Sequence, residues 1–333
     1  MLDFHKNHVL LVGTATLGFL LLSFMVAIFP AYQIQPTQPL PTMEAFTAQE
    51  LRGLHLYVKE NCMACHTQQV RNIEMDETWG KRPSIPSDYY YSKQRLDLWR
   101  QSPSVLGSER TGPDLTNVGQ RQSGMEWHLL HLYNPRIVVS ESIMPSYPWL
   151  FELKDASSIN EKDHLVSVPE AFLKNTSQKV VASQKALDLV AYLQTLKQAE
   201  MPGKAPEFIP SSKKPSADSS AGDASELKGA NLYMNTCSAC HQANGEGLAG
   251  AFPPLAGSPI VNDENPETLI RIILQGYDAR PEYGVMSGFG QVLSDEEIAA
   301  IATHERSSWG NSAEKVTPEV VKEIRNFVQS QDQ

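Results

Sequence analysis

Cys62-Met-Ala-Cys65-His66 and Cys237-Ser-Ala-Cys240-His241 are the two stretches that decide how this chain reads. In a Cys-x-x-Cys-His motif the two thiols form thioethers with the vinyl groups of a haem. The adjacent histidine then reaches the iron from the same side. A chance match is expected on the order of 0.001 times in a chain of this composition, and two are present. Two other chemistries use paired cysteines. A structural zinc would need each pair to recruit two more ligands, or the two distant pairs to meet. A thioredoxin-like redox pair needs a βαβ context, which the flanking sequence lacks. The chain's four cysteines all lie in these motifs, so none is left for a structural disulfide. Cys62, Cys65, Cys237 and Cys240 are therefore candidate attachment residues for two covalent haem c groups, with His66 and His241 as iron ligands.

Working outward, the residues before each motif repeat. Gly53-Leu-His-Leu56-Tyr57 leads to Cys62, and Gly229-Ala-Asn-Leu232-Tyr233 leads to Cys237. Each leader has helical spacing, and Thr47-Ala-Gln-Glu50 is a capping box that opens the first. A glycine inside a helix costs up to about 1 kcal/mol against alanine. Its recurrence implies a second helix crossing closely at that point. Each half also ends helically. Ala186 to Leu193 has apolar residues at helical spacing, and Ser294-Asp-Glu-Glu297 caps Ile298-Ala-Ala-Ile301. Thr317-Pro318 reads as the N-cap and first-turn proline of a last helix. Between the halves, residues 201–224 are rich in Pro, Ser, Lys and Ala without apolar periodicity, the composition of a flexible tether.

Val9 to Phe29 is an uncharged, almost wholly apolar run of 21 residues, long enough to cross a bilayer. The apolar core of a cleaved signal peptide is shorter and ends in small residues, whereas this run ends Ile28-Phe29-Pro30-Ala31-Tyr32. A retained anchor is expected. Lys6 precedes the run and the next basic residue is Arg52, which favours an inside N-terminus. Covalent haem is attached outside the cytoplasmic membrane, so the rest of the chain should face that side. The expected organisation is an anchor (1–32), a first haem domain (45–200), a tether (201–224) and a second haem domain (225–333). The fold class is mainly α.

The opposite iron ligand should be methionine, whose thioether, together with histidine, raises a haem's potential into an electron-transfer range. Met144 lies in Ser142-Ile-Met-Pro-Ser-Tyr147 and Met286 in Tyr283-Gly-Val-Met-Ser-Gly-Phe289. Both occupy Gly-, Pro- or Ser-rich loops with an aromatic residue three places on. Met75, Met125, Met63 and Met234 lack that context. Gly112-Pro113-Asp114-Leu115 and Phe252-Pro253-Pro254-Leu255 follow their motifs. A proline carbonyl there can accept the imidazole N–H, and an ordinary turn is the alternative. His128 and His131 share one helix face and are either ligands or hydrogen-bonded core residues. Arg71, Arg110 and Arg136 are candidate partners for haem propionates. The chain has no phosphate-binding glycine loop and no nucleophile elbow, so electron transfer is favoured over catalysis. From Ser225 to Gln333 there are 15 Asp/Glu and 7 Lys/Arg. This acidic balance argues against nucleic acid and suits a basic partner.

Four motifs, in order, carry a resemblance. Cys62 to Arg71 resembles the haem motif of the monohaem subunit II of cbb3-type haem–copper oxidases. Arg110-Thr-Gly-Pro-Asp-Leu115, Trp127-His-Leu-Leu-His-Leu-Tyr-Asn-Pro-Arg136 and Glu141-Ser-Ile-Met-Pro-Ser-Tyr-Pro-Trp-Leu150 resemble that family's other motifs. The resemblance covers roughly residues 1–198. It implies Met144 as axial ligand, a membrane-embedded catalytic haem–copper subunit as partner, and a Ca2+ held at that interface by the carbonyl of Ser108. The stretch Gly80 to Leu106 is longer than the family's. The second domain resembles a common class I cytochrome c domain. Together they imply an electron-transfer subunit of a respiratory terminal oxidase in a bacterial cell membrane, its haem domains periplasmic. Its donor would be a cytochrome c or a quinol–cytochrome c reductase. A nitric oxide reductase subunit, a dihaem peroxidase and a haem-based sensor are the alternatives.

Overall fold

The computed structural model describes residues 4, 6–34, 36–93, 105–209, 221–280 and 283–331. Residues 210–220 of the expected tether and 94–104 of the Gly80–Leu106 stretch lie outside the described residues.

The apolar run forms α1 (His8–Ser23), a π turn (Phe24–Ile28) and α2 (Phe29–Ile34). Pro30 accounts for the turn. It has no N–H to donate, and its ring crowds the carbonyl four residues back, at Val26, so the helix widens there. The segment His8–Gln33 reaches a mean hydropathy of 2.3 and has no buried stretch. Apolar side chains on every side of an unburied helix suit a lipid surround.

In the first half, α3 (Ala48–Lys59), α4 (Tyr90–Lys93), α5 (Val118–Arg121), α6 (Met125–Tyr133) and α7 (Gln184–Thr195) enclose one apolar core that includes Leu54, Tyr57, Leu129, Leu150 and Tyr192. The expected capping box opens α3: Glu50 N–H donates to Thr47 Oγ1 and Thr47 N–H to Glu50 Oε2. Gly53 meets α7 so closely that a Cβ there would stand 1.9 Å from the Asp188 carbonyl oxygen. A small antiparallel sheet, not anticipated from the sequence, lies between α6 and α7. Its order is β1 (Phe151–Asp155), β3 (Gln178–Ala182), β2 (His164–Val166), with Phe151 opposite Ala182 and His164 also opposite Ala182.

The second half repeats the helix crossing. Its elements are α8 (Ala221–Thr236), α9 (Ser238–His241), α10 (Glu267–Gln275), α11 (Asp295–Ser307) and α12 (Pro318–Gln331), with a two-stranded ribbon of β4 (Gly276–Tyr277) and β5 (Met286–Ser287). A Cβ on Gly229 of α8 would stand 2.4 Å from the Ala300 carbonyl oxygen of α11. Tyr57 and Tyr233, the matching residues of the two leaders, are both fully buried. The Ser294–Glu297 capping box is present at α11. Leu269, Ile270, Ile273 and Leu274 turn one face of α10 into the second core. The chain is mainly α-helical, and each recurrent glycine sits where two helices cross.

Candidate haem sites

The first site is built where α3 ends. Asn61, at φ 57°, turns the chain into a short 3-10 turn, Cys62–Ala64. His66 N–H closes the motif on the Cys62 carbonyl at 3.0 Å. The loop 105–116 then wraps the histidine, with Gly112 N–H on the Cys65 carbonyl and Leu115 N–H on that of Thr67, both at 2.8 Å. His66 Nδ1 lies 2.7 Å from the carbonyl oxygen of Pro113. A carbonyl can only accept, so Nδ1 carries the proton and Nε2 is left for a metal. Gly112 is required beside the ring: a Cβ there would stand 2.3 Å from His66 Cε1. Burial lowers the His66 pKa against the opposing bond to Pro113, which keeps the imidazole in its neutral, ligating form.

The second site repeats this geometry. His241 N–H bonds the Cys237 carbonyl at 3.0 Å, and His241 Nδ1 lies 2.9 Å from the carbonyl oxygen of Pro253. Burial lowers this histidine's pKa as well. Both imidazoles thus meet proline carbonyls in the two loops picked out in the sequence. Cys237, Cys240, His241 and Met286 line one cavity of about 360 Å³. Met286 is delivered to it by the ribbon, where it pairs with Tyr277.

Part of that cavity's wall comes from the first half, in Arg121, Ser123, Gly124 and Trp127. Arg121 Nε and Ser123 Oγ are buried without a hydrogen-bond partner. Buried polar atoms are nearly always paired, so two orphaned donors fit an acidic occupant such as the propionates of a haem. The donor set fits haem c in the rest as well. Cys237 and Cys240 would hold it by thioether, and His241 and Met286 are the side chains in the lining that would supply iron ligands. Such a group exchanges one electron at a time between ferric and ferrous iron. Arg121 and Ser123 escaped the sequence reading, because nothing local marks a residue that faces a motif in the other half.

Around the first site, Met144 and Cys62 pack against the core of the first half. Met144 Sδ lies 3.1 Å from Nε2 of His131, whose ring stacks on Trp127 at 4.6 Å between centroids. His128 is buried and its Nε2 lies 2.7 Å from the Gln122 carbonyl oxygen, which makes it a hydrogen-bonded core residue.

Two of the arginines expected at propionates are engaged elsewhere. Arg71 donates to Asp76 through Nη2 at 2.8 Å, and Arg110 through Nη1 at 2.7 Å. Arg110 also reaches Thr67 Oγ1 and the Gln69 carbonyl. Burial alone would raise the Asp76 pKa, but the two guanidinium groups outweigh it and hold the carboxyl well below the usual range. The pair fastens the segment after His66 to the Asp76 turn. Arg136 lies in the turn Pro135–Ile137.

The alternative uses of the cysteines fare poorly. Burial pushes Cys62 and Cys240 up to about 12, away from the lowered thiol pKa of a redox-active pair. Among the described residues no group of three or more His, Cys, Asp or Glu side chains converges as a metal cage would.

Helical cores built on Cys-x-x-Cys-His loops, with each imidazole fixed by a proline carbonyl, define a c-type cytochrome, here preceded by an apolar helix at His8–Gln33. The chain belongs to the family described as cytochrome c oxidase, mono-heme subunit/FixO, which it matches over residues 3–204. Residues 224–304 match a second family, described as cytochrome c oxidase, cbb3-type, subunit III. It is 38% identical over 98 residues to the cytochrome c subunit of the quinone alcohol dehydrogenase of Gluconacetobacter polyoxogenes, covering 28% of this chain and 21% of that protein. It is 43% identical over 115 residues to cytochrome c-552 of Thermus thermophilus, covering 30% of this chain and 86% of that protein. The chain therefore spans only about a fifth of the alcohol dehydrogenase subunit it matches. The two matches mark this as a cytochrome c-type electron-transfer chain of the oxidase mono-heme subunit family, with an N-terminal helix long and apolar enough to cross a membrane.

Proposed function

We propose that this chain is a dihaem electron-entry subunit, with one haem c at Cys62, Cys65 and His66 and a second at Cys237, Cys240 and His241. Met144 and Met286 complete the two iron sites. The second domain takes electrons from a soluble cytochrome c or a quinol–cytochrome c reductase. It passes them to the first haem, which serves a catalytic haem–copper subunit in the membrane where oxygen is reduced. The observation that carries this reading is the paired geometry of His66 on Pro113 and His241 on Pro253, since both imidazoles are held in the ligating tautomer. The domains after Tyr32 face the periplasm. The calcium that the resemblance implies belongs to the docked face, where Ser108 is exposed beside Gly107, itself packed on the His66 carbonyl.

The test is affinity purification of the full chain from native membranes, followed by haem counting and gas-consumption assays. Two haem c per chain and oxygen uptake by a complex containing copper and haem b are expected. Nitric oxide consumption without oxygen uptake would assign the chain to a reductase instead.

A further inference from the structure

The two candidate sites are joined by one side chain. Trp127 sits on α6 of the first half. Its indole Nε1–H donates to the carbonyl of Ala239 at 3.0 Å, inside the second Cys-x-x-Cys-His loop. Its ring lies 12° from parallel with that of His131, at 4.6 Å between centroids. His131 Nε2 in turn lies 3.1 Å from Met144 Sδ, the expected axial ligand of the first haem. A continuous chain of contacts therefore runs from the second motif to the first iron site: one hydrogen bond, one ring stack and one nitrogen–sulfur contact.

The surroundings hold that chain together. Trp127 and Arg121 line the second cavity. Gly284, in the loop carrying Met286, packs on Glu126 of α6, where an added Cβ would stand 3.1 Å from Glu126 Cγ. Ala251, Phe252 and Cys240 of the second half are packed into the core of the first. Lys81 Nζ reaches the Val292 carbonyl at 3.3 Å. Both the motif loop and the methionine loop of the second site thus rest on the helix that carries His131.

We infer that Trp127 is the electron bridge between the two haem sites. The inference rests on the two-haem reading above. Tunnelling falls steeply with each gap across empty space and less steeply through bonded or stacked atoms, so a filled path between two irons governs the rate. In the step, the second iron goes from ferrous to ferric and the first from ferric to ferrous. One electron moves, no proton moves, and Trp127 itself is neither oxidised nor reduced. As a positioning residue it acts through Ala239 and His131 and touches neither iron.

Spatial intermediacy alone does not establish a path, so the test perturbs it. The full chain in detergent is assayed first for haem content and for both midpoint potentials. Electron transfer between the haems is then followed by absorbance after flash reduction. Trp127→Leu removes the stack and the hydrogen bond, and should slow transfer several-fold. Trp127→Phe keeps the stack and loses the donor, and should fall between Leu and the unsubstituted chain. Because Trp127 lines the second cavity, both midpoint potentials are measured in each variant and the rates compared at equal driving force; a rate that still falls with two haems bound separates a bridge from a merely structural role. Trp127→Phe carries the test if Trp127→Leu does not fold. Independently of redox activity, the Trp127 indole N–H should exchange slowly with deuterium. Unchanged transfer rates at two haems per chain would overturn the bridge alone, as would a rapidly exchanging indole. A single haem per chain would overturn the two-haem reading as well.

Discussion

Gly53 of α3 lies so close to Asp188 of α7 that no side chain fits between them, the Asp188 carbonyl standing 1.9 Å from where a Cβ would be. The same two residues' helices are tied by Arg52, which forks onto the Asp188 carboxylate at 2.7 and 3.0 Å. The glycine thus sets the depth of the crossing, and the ion pair beside it sets the rotation.

Gly53→Ala should therefore push the helices apart and destabilise the first half by about 1–3 kcal/mol, the range for overpacking. Gly229→Ala, 2.4 Å from the Ala300 carbonyl oxygen, should do the same to the second half. Gly18→Ala, in the apolar helix α1 with nothing within 4 Å of the added Cβ, serves as the control and should be close to neutral. Urea midpoints of the three variants check the order. A Gly53→Ala chain as stable as the parent would remove the close-crossing argument.

A second prediction concerns acid. Burial lowers the His128 pKa from 6.5 to about 4, against the opposing bond to the Gln122 carbonyl. As pH falls, the unfolded chain gains this proton near 6.5 while the folded chain resists until about 4. The contribution is therefore intact at pH 7 and is lost between about 6.5 and 4, reaching about 3 kcal/mol at the lower limit. His128→Gln should flatten the stability profile in that window by close to one proton. An unaltered slope would mean that His128 is not the group titrating.

The parts of the molecule that were legible in the sequence are those written in local spacing. The two Cys-x-x-Cys-His motifs, the capping boxes at Thr47 and Ser294, the apolar run from Val9 and the paired glycines each need only a short window. The sheet does not. β2 is three residues long, and its pairing with β3 depends on a partner many residues away, so His164-Leu-Val166 carries no alternation to detect. The arginines misled for a related reason. A basic residue beside a haem motif suits a propionate, but Asp76 sits inside an acidic turn, Glu74–Thr78, and only the folded structure shows that it is the buried carboxylate of the three. Arg121 and Trp127 are the extreme case. Their surroundings are made by the other half of the chain, and only the assembled structure places them there.

Charge makes a third prediction, about the donor. The second half carries most of the chain's acidic excess, 15 Asp/Glu against 7 Lys/Arg from Ser225 onward. Exposed charges steer encounter over about one Debye length, roughly 8 Å at physiological salt. Electron entry from a basic cytochrome should therefore slow as salt rises, by roughly tenfold between low and physiological ionic strength. Stopped-flow reduction at a series of salt concentrations measures this. A flat series would show that encounter does not depend on the acidic face.

The iron ligands give the last prediction. Met144 and Met286 are proposed to supply the thioether opposite His66 and His241. Each of Met144→Ala and Met286→Ala should then remove about half of the sulfur-to-iron absorption in the far red and lower one of the two midpoint potentials. The double variant should remove the band entirely. Met144 makes the sharper case because His131 Nε2 lies 3.1 Å from its sulfur. In Met144→Ala that imidazole is placed to take the vacated position, which would leave a low-spin spectrum without the band and a potential below that of the methionine-ligated parent. Combining Met144→Ala with His131→Leu should then expose a high-spin iron that binds carbon monoxide. Survival of the full band in Met144→Ala would instead assign the first iron to another sulfur, with Met125 the next candidate on α6.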